Sequence, residues 1–479
     1  MPQSKINKSD FLSALKERVI VFDGAMGSSI HTFDLSLDDY GGYENCPEIL
    51  VETRPEVIES IHASFFAVGC DAVETDTFGG SPIVLQEFGL AHRAYELNLK
   101  AARLARKVAD SFSGDKQRYV SGSIGPTTKI PSLGHISLGE MHDAYMVQVE
   151  GLMDGGVDCL QFETGQDLLQ AKAAILACQD IFKKKGRRLP IIAQVTLEAP
   201  PLGTMLVGTD VAAALATLAA YPIDVIGINC ATGPREMFDP VSYLCRNFDR
   251  YVSVLPNAGL PENINGETVY KLQPDQLADA LKYFVEKDGV NIVGGCCGTT
   301  SAHLAAVVAA VGDRAPLPRH APPPEGAASI YTAMSFAVDN PPLIVGERAN
   351  TNGSKKFKEL LERDDLDGMV ALARDQEKEG AHILDICTAY VGRDEALDME
   401  RFLKRLNNEL TVPDDDRLDR VSCHPKIPCL ACRQAHRQLH QSRGWRGQDA
   451  AKSRPHSSIW RGCSGSDHRR RRHGQDPRA

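Results

Sequence analysis

Two adjacent cysteines, Cys296 and Cys297, end the run Val290-Asn291-Ile292-Val293-Gly294-Gly295-Cys296-Cys297-Gly298-Thr299-Thr300, an apolar stretch that closes among glycines. Thiolates are metal ligands, and two of them at one strand end suggest a shared ion. Neighbouring side chains on a straight strand point to opposite faces, so both sulfurs reach one ion only where the backbone turns sharply. Gly294, Gly295 and Gly298 are expected to make that turn at positive φ. A third thiol, Cys230, ends a second apolar run, Asp224-Val225-Ile226-Gly227-Ile228-Asn229, just before the loop Ala231-Thr232-Gly233-Pro234. Three thiolates and one exchangeable position describe an open zinc site, whereas a closed structural site uses four protein ligands. Cys159, Cys178 and Cys245 are read instead as small core residues.

The elements that must position these thiols follow from the alternation of the chain. From Val19 to about Gly312, short β-branched runs alternate with helix-like segments, the pattern of repeated βα units. The runs are Val19–Asp23, Ala72–Asp76, Tyr119–Ser123, Cys159–Glu163, Ile191–Thr196, the run ending at Cys230, Val252–Asn257 and the run ending at Cys296-Cys297. Eight units over some 300 residues imply a (β/α)8 barrel, whose working side chains sit where strands end. Asp23, Asp76, Glu163, Cys230, Asn257, Cys296 and Cys297 all fall at such ends, so a barrel gathers them around one mouth. Asp76 can equally cap the helix that follows it.

The 479 residues are 43% hydrophobic and 24% charged, enough for large cores and more than one domain. A formal net charge of −10 argues against a general nucleic-acid binder. No apolar run approaches the roughly 18 residues of a membrane span. A soluble, cytoplasmic protein is expected, in which 13 cysteines serve as ligands or core rather than disulfides. The first domain is placed at 1–315. A stiff, proline-rich linker follows at 316–340, containing Pro316-Leu317-Pro318 and Pro322-Pro323-Pro324. Residues 341–412 read as two further βα units, with strands at Leu343–Gly346 and His382–Cys387, an incomplete second (β/α) barrel.

Residues 413–479 break the rhythm and turn rich in Arg, His, Gln and Ser, up to Arg469-Arg470-Arg471-Arg472. They read as a basic tail expected to be disordered. A zinc knuckle from Cys429, Cys432, His436 and His440 has too short a Cys-to-His gap for a finger. Back-translated and read one base later, 413–420, 435–444 and 460–468 all give apolar strings like further strands of the second barrel. Three such matches in order with one offset imply that the reading frame shifts near 413.

The motifs Phe22-Asp23-Gly24-Ala25-Met26-Gly27, Glu74-Thr75-Asp76-Thr77-Phe78-Gly79-Gly80, Gly125-Pro126-Thr127, Gly227-Ile228-Asn229-Cys230 and Gly294-Gly295-Cys296-Cys297-Gly298-Thr299 resemble, in order and spacing, the homocysteine S-methyltransferase family. The resemblance covers about the first 315 residues. Gly346-Glu347-Arg348-Ala349-Asn350 resembles the start of a methyltetrahydrofolate-binding barrel, and the domain order is similar to the N-terminal half of the cobalamin-dependent methionine synthase family. The resemblance implies that Cys230, Cys296 and Cys297 bind Zn2+, with the homocysteine sulfur in the remaining position and Asn257 as an oxygen donor when substrate is absent. It implies that Asp23 and Glu163 bind the substrate ammonium, while N–H groups at Gly24 and Ala25 hold its carboxylate. In the second domain it implies a 5-methyltetrahydrofolate site at Glu347, Arg348, Asn350 and Asp385. Cys387 departs from that pattern, which has Asn there.

The implied reaction is methyl transfer from methylcobalamin to homocysteine, giving methionine. No Asp-x-His-x-x-Gly motif occurs in the chain, so a corrinoid module is expected in trans or in a missing C-terminal part. The alternatives are a stand-alone methyltransferase using a sulfonium or betaine donor, and an inactive homocysteine- or zinc-binding fragment.

Overall fold

The computed structural model describes residues 10–114, 116–264, 267–322, 325–337 and 341–416. The chain divides into two compact units, Met1–Ala435 and His436–Ala479, and the second lies wholly outside the described residues. Of the basic tail expected at 413–479, all but residues 413–416 lies outside them, as do the knuckle residues.

All eight expected strands form. They are β1 (Ile20–Val21), β2 (Ala72–Glu74), β3 (Tyr119–Ile124), β4 (Cys159–Gly165), β5 (Ile191–Val195), β6 (Val225–Asn229), β7 (Tyr251–Leu255) and, after a hairpin β8 (Glu262–Ile264) and β9 (Glu267–Val269), β10 (Ile292–Val293). The sheet runs β1-β10-β7-β6-β5-β4-β3-β2 and every pairing in it is parallel. A further parallel bridge, Phe22 to Ala72, brings β2 back beside β1 and closes the barrel. Strands buried on both faces favour continuous apolar runs over alternation, and β3 to β6 are buried at every position.

The helices wrap the outside because each carries an apolar stripe. In Ala94–Phe112 the buried positions Leu97, Ala101, Leu104, Ala105 and Val108 recur at helical spacing. Small residues set how closely helices approach: a Cβ on Gly155 would lie 2.3 Å from the Cβ of Ala102. Helix starts are capped where the sequence offers acceptors. Ser137 and Glu140 form a reciprocal capping box at Leu138–Gly155, and Asp167 accepts from Leu169 N at 2.8 Å.

The proline-rich segment is stitched to the barrel rather than free. The Arg319 guanidinium donates to the carbonyls of Cys245 (3.1 Å), Phe248 (3.2 Å) and Arg250 and to Asn291 Oδ1 (3.1 Å). Further on, a short antiparallel pair, β11 (Gly326–Ala328) and β12 (Ala333–Ser335), packs near helix Val211–Leu218, where Tyr331 O accepts from Asp210 N at 2.9 Å. The second domain shows three parallel strands, β13 (Val345–Asn350), β14 (Ile383–Cys387) and β15 (Asp414–Asp416). The sequence had suggested only two βα units there, because three consecutive aspartates have low strand propensity. Phe357, Met369, Met399 and Phe402 form this domain's own core.

Candidate functional site: a three-thiol cluster at the barrel mouth

Cys230 follows β6, and Cys296 and Cys297 follow β10, so parallel strands two places apart deliver all three thiols to one end of the barrel. Their Sγ atoms lie within 4.8 Å of one another, and no other group of three or more His, Cys, Asp or Glu ligand atoms is so arranged among the described residues. Cys230 Sγ and Cys297 Sγ are 3.8 Å apart. Two thiolates bound tetrahedrally to one zinc ion at about 2.3 Å are separated by roughly that distance. The donor set and its spacing therefore fit zinc.

The turn that gathers the sulfurs is made differently from expectation. Gly298 has φ +76°, but the other left-handed residues here are Cys230 (+59°) and Ala231 (+58°) rather than Gly294 and Gly295. A left-handed non-glycine residue costs free energy and persists where surrounding bonds over-determine it. Here Cys230 N donates to Leu255 O (3.1 Å), and Thr232 N donates to Cys230 O (2.7 Å). Gly294 and Gly295 are needed instead for close approach. A Cβ on Gly294 would lie 2.9 Å from Phe22 Cβ, and one on Gly295 2.3 Å from Thr299 Oγ1.

Asn257 Oδ1 accepts the Cys297 N–H at 3.0 Å. This oxygen, expected as a metal donor, holds the ligand loop in place. Cys296 N donates to Pro256 O (2.8 Å) and Ala258 N to Cys297 O (2.9 Å), tying the same loop to the end of β7. Hydrogen bonds from Cys230 and Cys296 hold the Cys297 thiol down at about 3, and Cys296 is correspondingly pushed well above the usual thiol range. For Cys230 the Cys296 contact lowers the pKa, but Cys297 and burial carry it up to about 12.

Beside it lie the carboxylates. Glu163, at the end of β4, is 5% exposed. It accepts from Ser123 Oγ and, at 3.2 Å, from Asn229 Nδ2, the residue before Cys230. Burial pushes it up to about 7, Ser123 opposes that shift, and the Cys297 charge adds to it. Asp23 is 2% exposed and accepts from Glu74 N at 3.1 Å. Burial pushes it well above the usual carboxylate range, with Glu163 adding to the rise. Gly24 packs so tightly that a Cβ would lie 2.6 Å from Thr299 Oγ1. Ala25 N already donates to Thr299 O (3.3 Å) and Oγ1 (3.2 Å), so the expectation that its N–H faces substrate is revised. Asp76 is buried, and burial and then Glu48 push it well above the usual range.

In the second domain Asn350 Nδ2 donates to Asp385 Oδ2 at 3.1 Å, joining the ends of β13 and β14. Cys387 is buried, in contact with Thr351 Oγ1 (3.8 Å) and Asn352 Nδ2 (3.6 Å). Glu347 is exposed, and the Arg348 side chain pairs with Glu379 away from this pair. Of the four residues expected there, the fold joins two.

Residues 20–311 match the family described as homocysteine S-methyltransferase, and residues 346–414 match the pterin binding enzyme family. The chain belongs to the homocysteine S-methyltransferase family. A methionine synthase of Mycobacterium tuberculosis (strain ATCC 25618 / H37Rv) is 46% identical over 406 residues, covering 85% of this chain and 34% of that protein. One of Mycobacterium leprae (strain TN) is 44% identical over 411 residues with the same coverage. The chain thus spans about a third of the length of these curated relatives. The homocysteine methyltransferase MmuM of Escherichia coli, in its metallated form, shares the barrel fold, with a TM-score of 0.50 and 24% identity over 62% of this chain and 98% of its own.

Within this methyltransferase-family barrel, the structure adds residues that motif reading passed over. Glu74 joins the acidic group: burial, Glu163 and Asp23 push it well above the usual range, and Gln161 Nε2 donates to it at 2.5 Å. Tyr270, on the segment after β9, lays its ring against Gly298, the residue after Cys297. Ser123 and Asn229 hold Glu163. The alternation of β3 and β6 could have marked Ser123 and Asn229 as mouth-facing, but nothing local marks Tyr270. Cys159, Cys178 and Cys245 are buried free thiols, as core residues would be.

Proposed function

We propose that this chain transfers a methyl group to the sulfur of homocysteine, forming methionine. The observation that carries the reading is the three-thiol cluster beside the buried carboxylates Asp23 and Glu163. Zinc held by Cys230, Cys296 and Cys297 would supply the Lewis acidity that keeps a coordinating thiol deprotonated. Asp23 and Glu163 bind the substrate ammonium, offsetting its desolvation by opposite charge. The Gly24 N–H, at the same mouth, is the donor to the substrate carboxylate.

The methyl donor is methylcobalamin, presented by a corrinoid module outside the described residues, with 5-methyltetrahydrofolate as the ultimate source. A rim of exposed apolar side chains on the loops that follow the strands supports a bulky donor: Leu37, Phe78, Leu133, Leu202, Leu206 and Leu260. Asn350 and Asp385, joined across the two strands, form part of a pterin site. Among the described residues no helix is long and apolar enough to cross a membrane. A cytoplasmic setting, where thiols stay reduced, suits the free cysteines.

The test is methionine formation by zinc-loaded protein from homocysteine and methylcobalamin, compared with the Cys297→Ser variant. Methionine is expected from the parent and a loss of about 100-fold or more from the variant, since losing even a partner beyond the ligands typically costs about 10- to 100-fold. Methionine from a sulfonium or betaine donor but not from methylcobalamin overturns the donor assignment. None from any donor overturns the activity.

A further inference from the structure

The segment 270–272, between β9 and the helix Pro274–Tyr283, is fixed to the thiol loop from two sides. Leu272 N donates to Ala258 O at 3.0 Å, and Ala258 N donates to Cys297 O at 2.9 Å. His303 Nδ1 accepts the Thr300 N–H at 3.2 Å, so its other nitrogen carries the proton and donates to Leu272 O at 2.9 Å. The Tyr270 side chain then lies flat against Gly298, the residue after Cys297. A Cβ at Gly298 would fall 2.3 Å from Tyr270 Cγ and 2.5 Å from Cδ2. Gly298, at φ +76°, thus gives the chain its turn and the tyrosine its seat.

We propose that Tyr270 is a positioning residue of the metal centre, its phenol O–H donating to Cys297 Sγ from outside the three-thiol cluster. With the ring seated on Gly298 beside that sulfur, the proposed hydrogen bond fixes the direction of the ligand and carries part of its negative charge, as partners beyond the ligands do in metal sites. A tyrosine phenol is protonated at neutral pH and can donate to a thiolate. The effect of Tyr270 passes through Cys297.

This inference rests on the proposed metal centre, and cobalt(II) separates the two. The parent, Tyr270→Phe and a protein carrying 3-fluorotyrosine at 270 are loaded with cobalt(II), and the sulfur-to-cobalt charge-transfer band and the loss of metal to a competing chelator are recorded. The phenylalanine keeps the ring against Gly298 and removes only the hydroxyl. Fluorotyrosine keeps the shape and strengthens the donor. Expected are a band shifted to lower energy and about 10-fold weaker metal retention for Tyr270→Phe, with a band shift in the opposite direction for fluorotyrosine. Bands that coincide in the parent and the fluorotyrosine protein, or in all three, overturn the role of Tyr270. A parent that takes up no cobalt through sulfur removes the metal centre itself, and this inference with it.

Discussion

At the scale of single residues, the site depends on carboxylates whose pKa burial raises. Glu163 sits among Ser123, Asn229 and the Cys297 charge, and its pKa is raised to about 7. A group with a raised pKa is protonated, and useless to an ammonium, below that value. Homocysteine binding should therefore weaken as pH falls through about 7, measured by calorimetric titration of the zinc-loaded protein. Glu163→Gln should flatten that dependence and raise Kd by roughly 10- to 100-fold, the worth of one hydrogen bond to a charged group. An unchanged Kd in the variant would remove Glu163 from the ammonium site. The thiols and Asp23 were legible in the sequence because chemistry-bearing side chains at strand ends stand out against apolar runs. The conformations that deliver them were not. The left-handed turn fell on Cys230, where only contacts from β7 and the next loop hold it, and Asn257 Oδ1 went to a backbone N–H that no spacing rule reveals.

At the scale of elements, the eight strands could be read because buried parallel strands are written as β-branched runs. The base of the barrel could not. There Asp71, fully buried, meets Arg18 at 2.7 Å, Lys116 at 2.8 Å and Arg118 at 3.9 Å, and accepts from Val21 N at 2.9 Å, four partners from two other parts of the chain. The helix Pro55–Ala67 carries another feature hidden from the sequence. His62 is fully buried, neither ring nitrogen has a hydrogen-bond partner among the described residues, and burial pushes its pKa from 6.5 down to about 4. The unfolded chain binds the proton first as pH falls, so this residue costs stability progressively from about pH 6.5 to about 4. The full effect is about 3 kcal/mol, the equivalent of that shift. Chemical denaturation across this pH range should show His62→Leu losing less stability than the parent. A parallel pH dependence in the two would mean that His62 is not neutral when buried.

At the scale of the whole molecule, one barrel and the start of another are joined by a segment whose prolines suggested a free spacer. The guanidinium of Arg319 instead satisfies carbonyls at the end of helix Phe238–Asn247 and the start of β7. Proline content sets local stiffness but says nothing of what the intervening side chains bind, which is why this docking was not legible. Arg319→Ala leaves those carbonyls without their donor and should lower stability by about 3 kcal/mol, read as an earlier denaturation midpoint with the metal site intact. Sequence reading likewise stopped one strand short in the second domain. β15 is placed by backbone pairing with β14, with Leu384 opposite Asp414, and not by the propensity of its aspartates.

The central claim, a sulfur-ligated ion that takes the substrate thiol, is tested most directly by zinc K-edge X-ray absorption on the purified protein before and after homocysteine is added. The geometry predicts three sulfur ligands at about 2.3 Å and one lighter ligand, changing to four sulfurs with substrate. A first shell without sulfur, or one that homocysteine leaves unaltered, would contradict it.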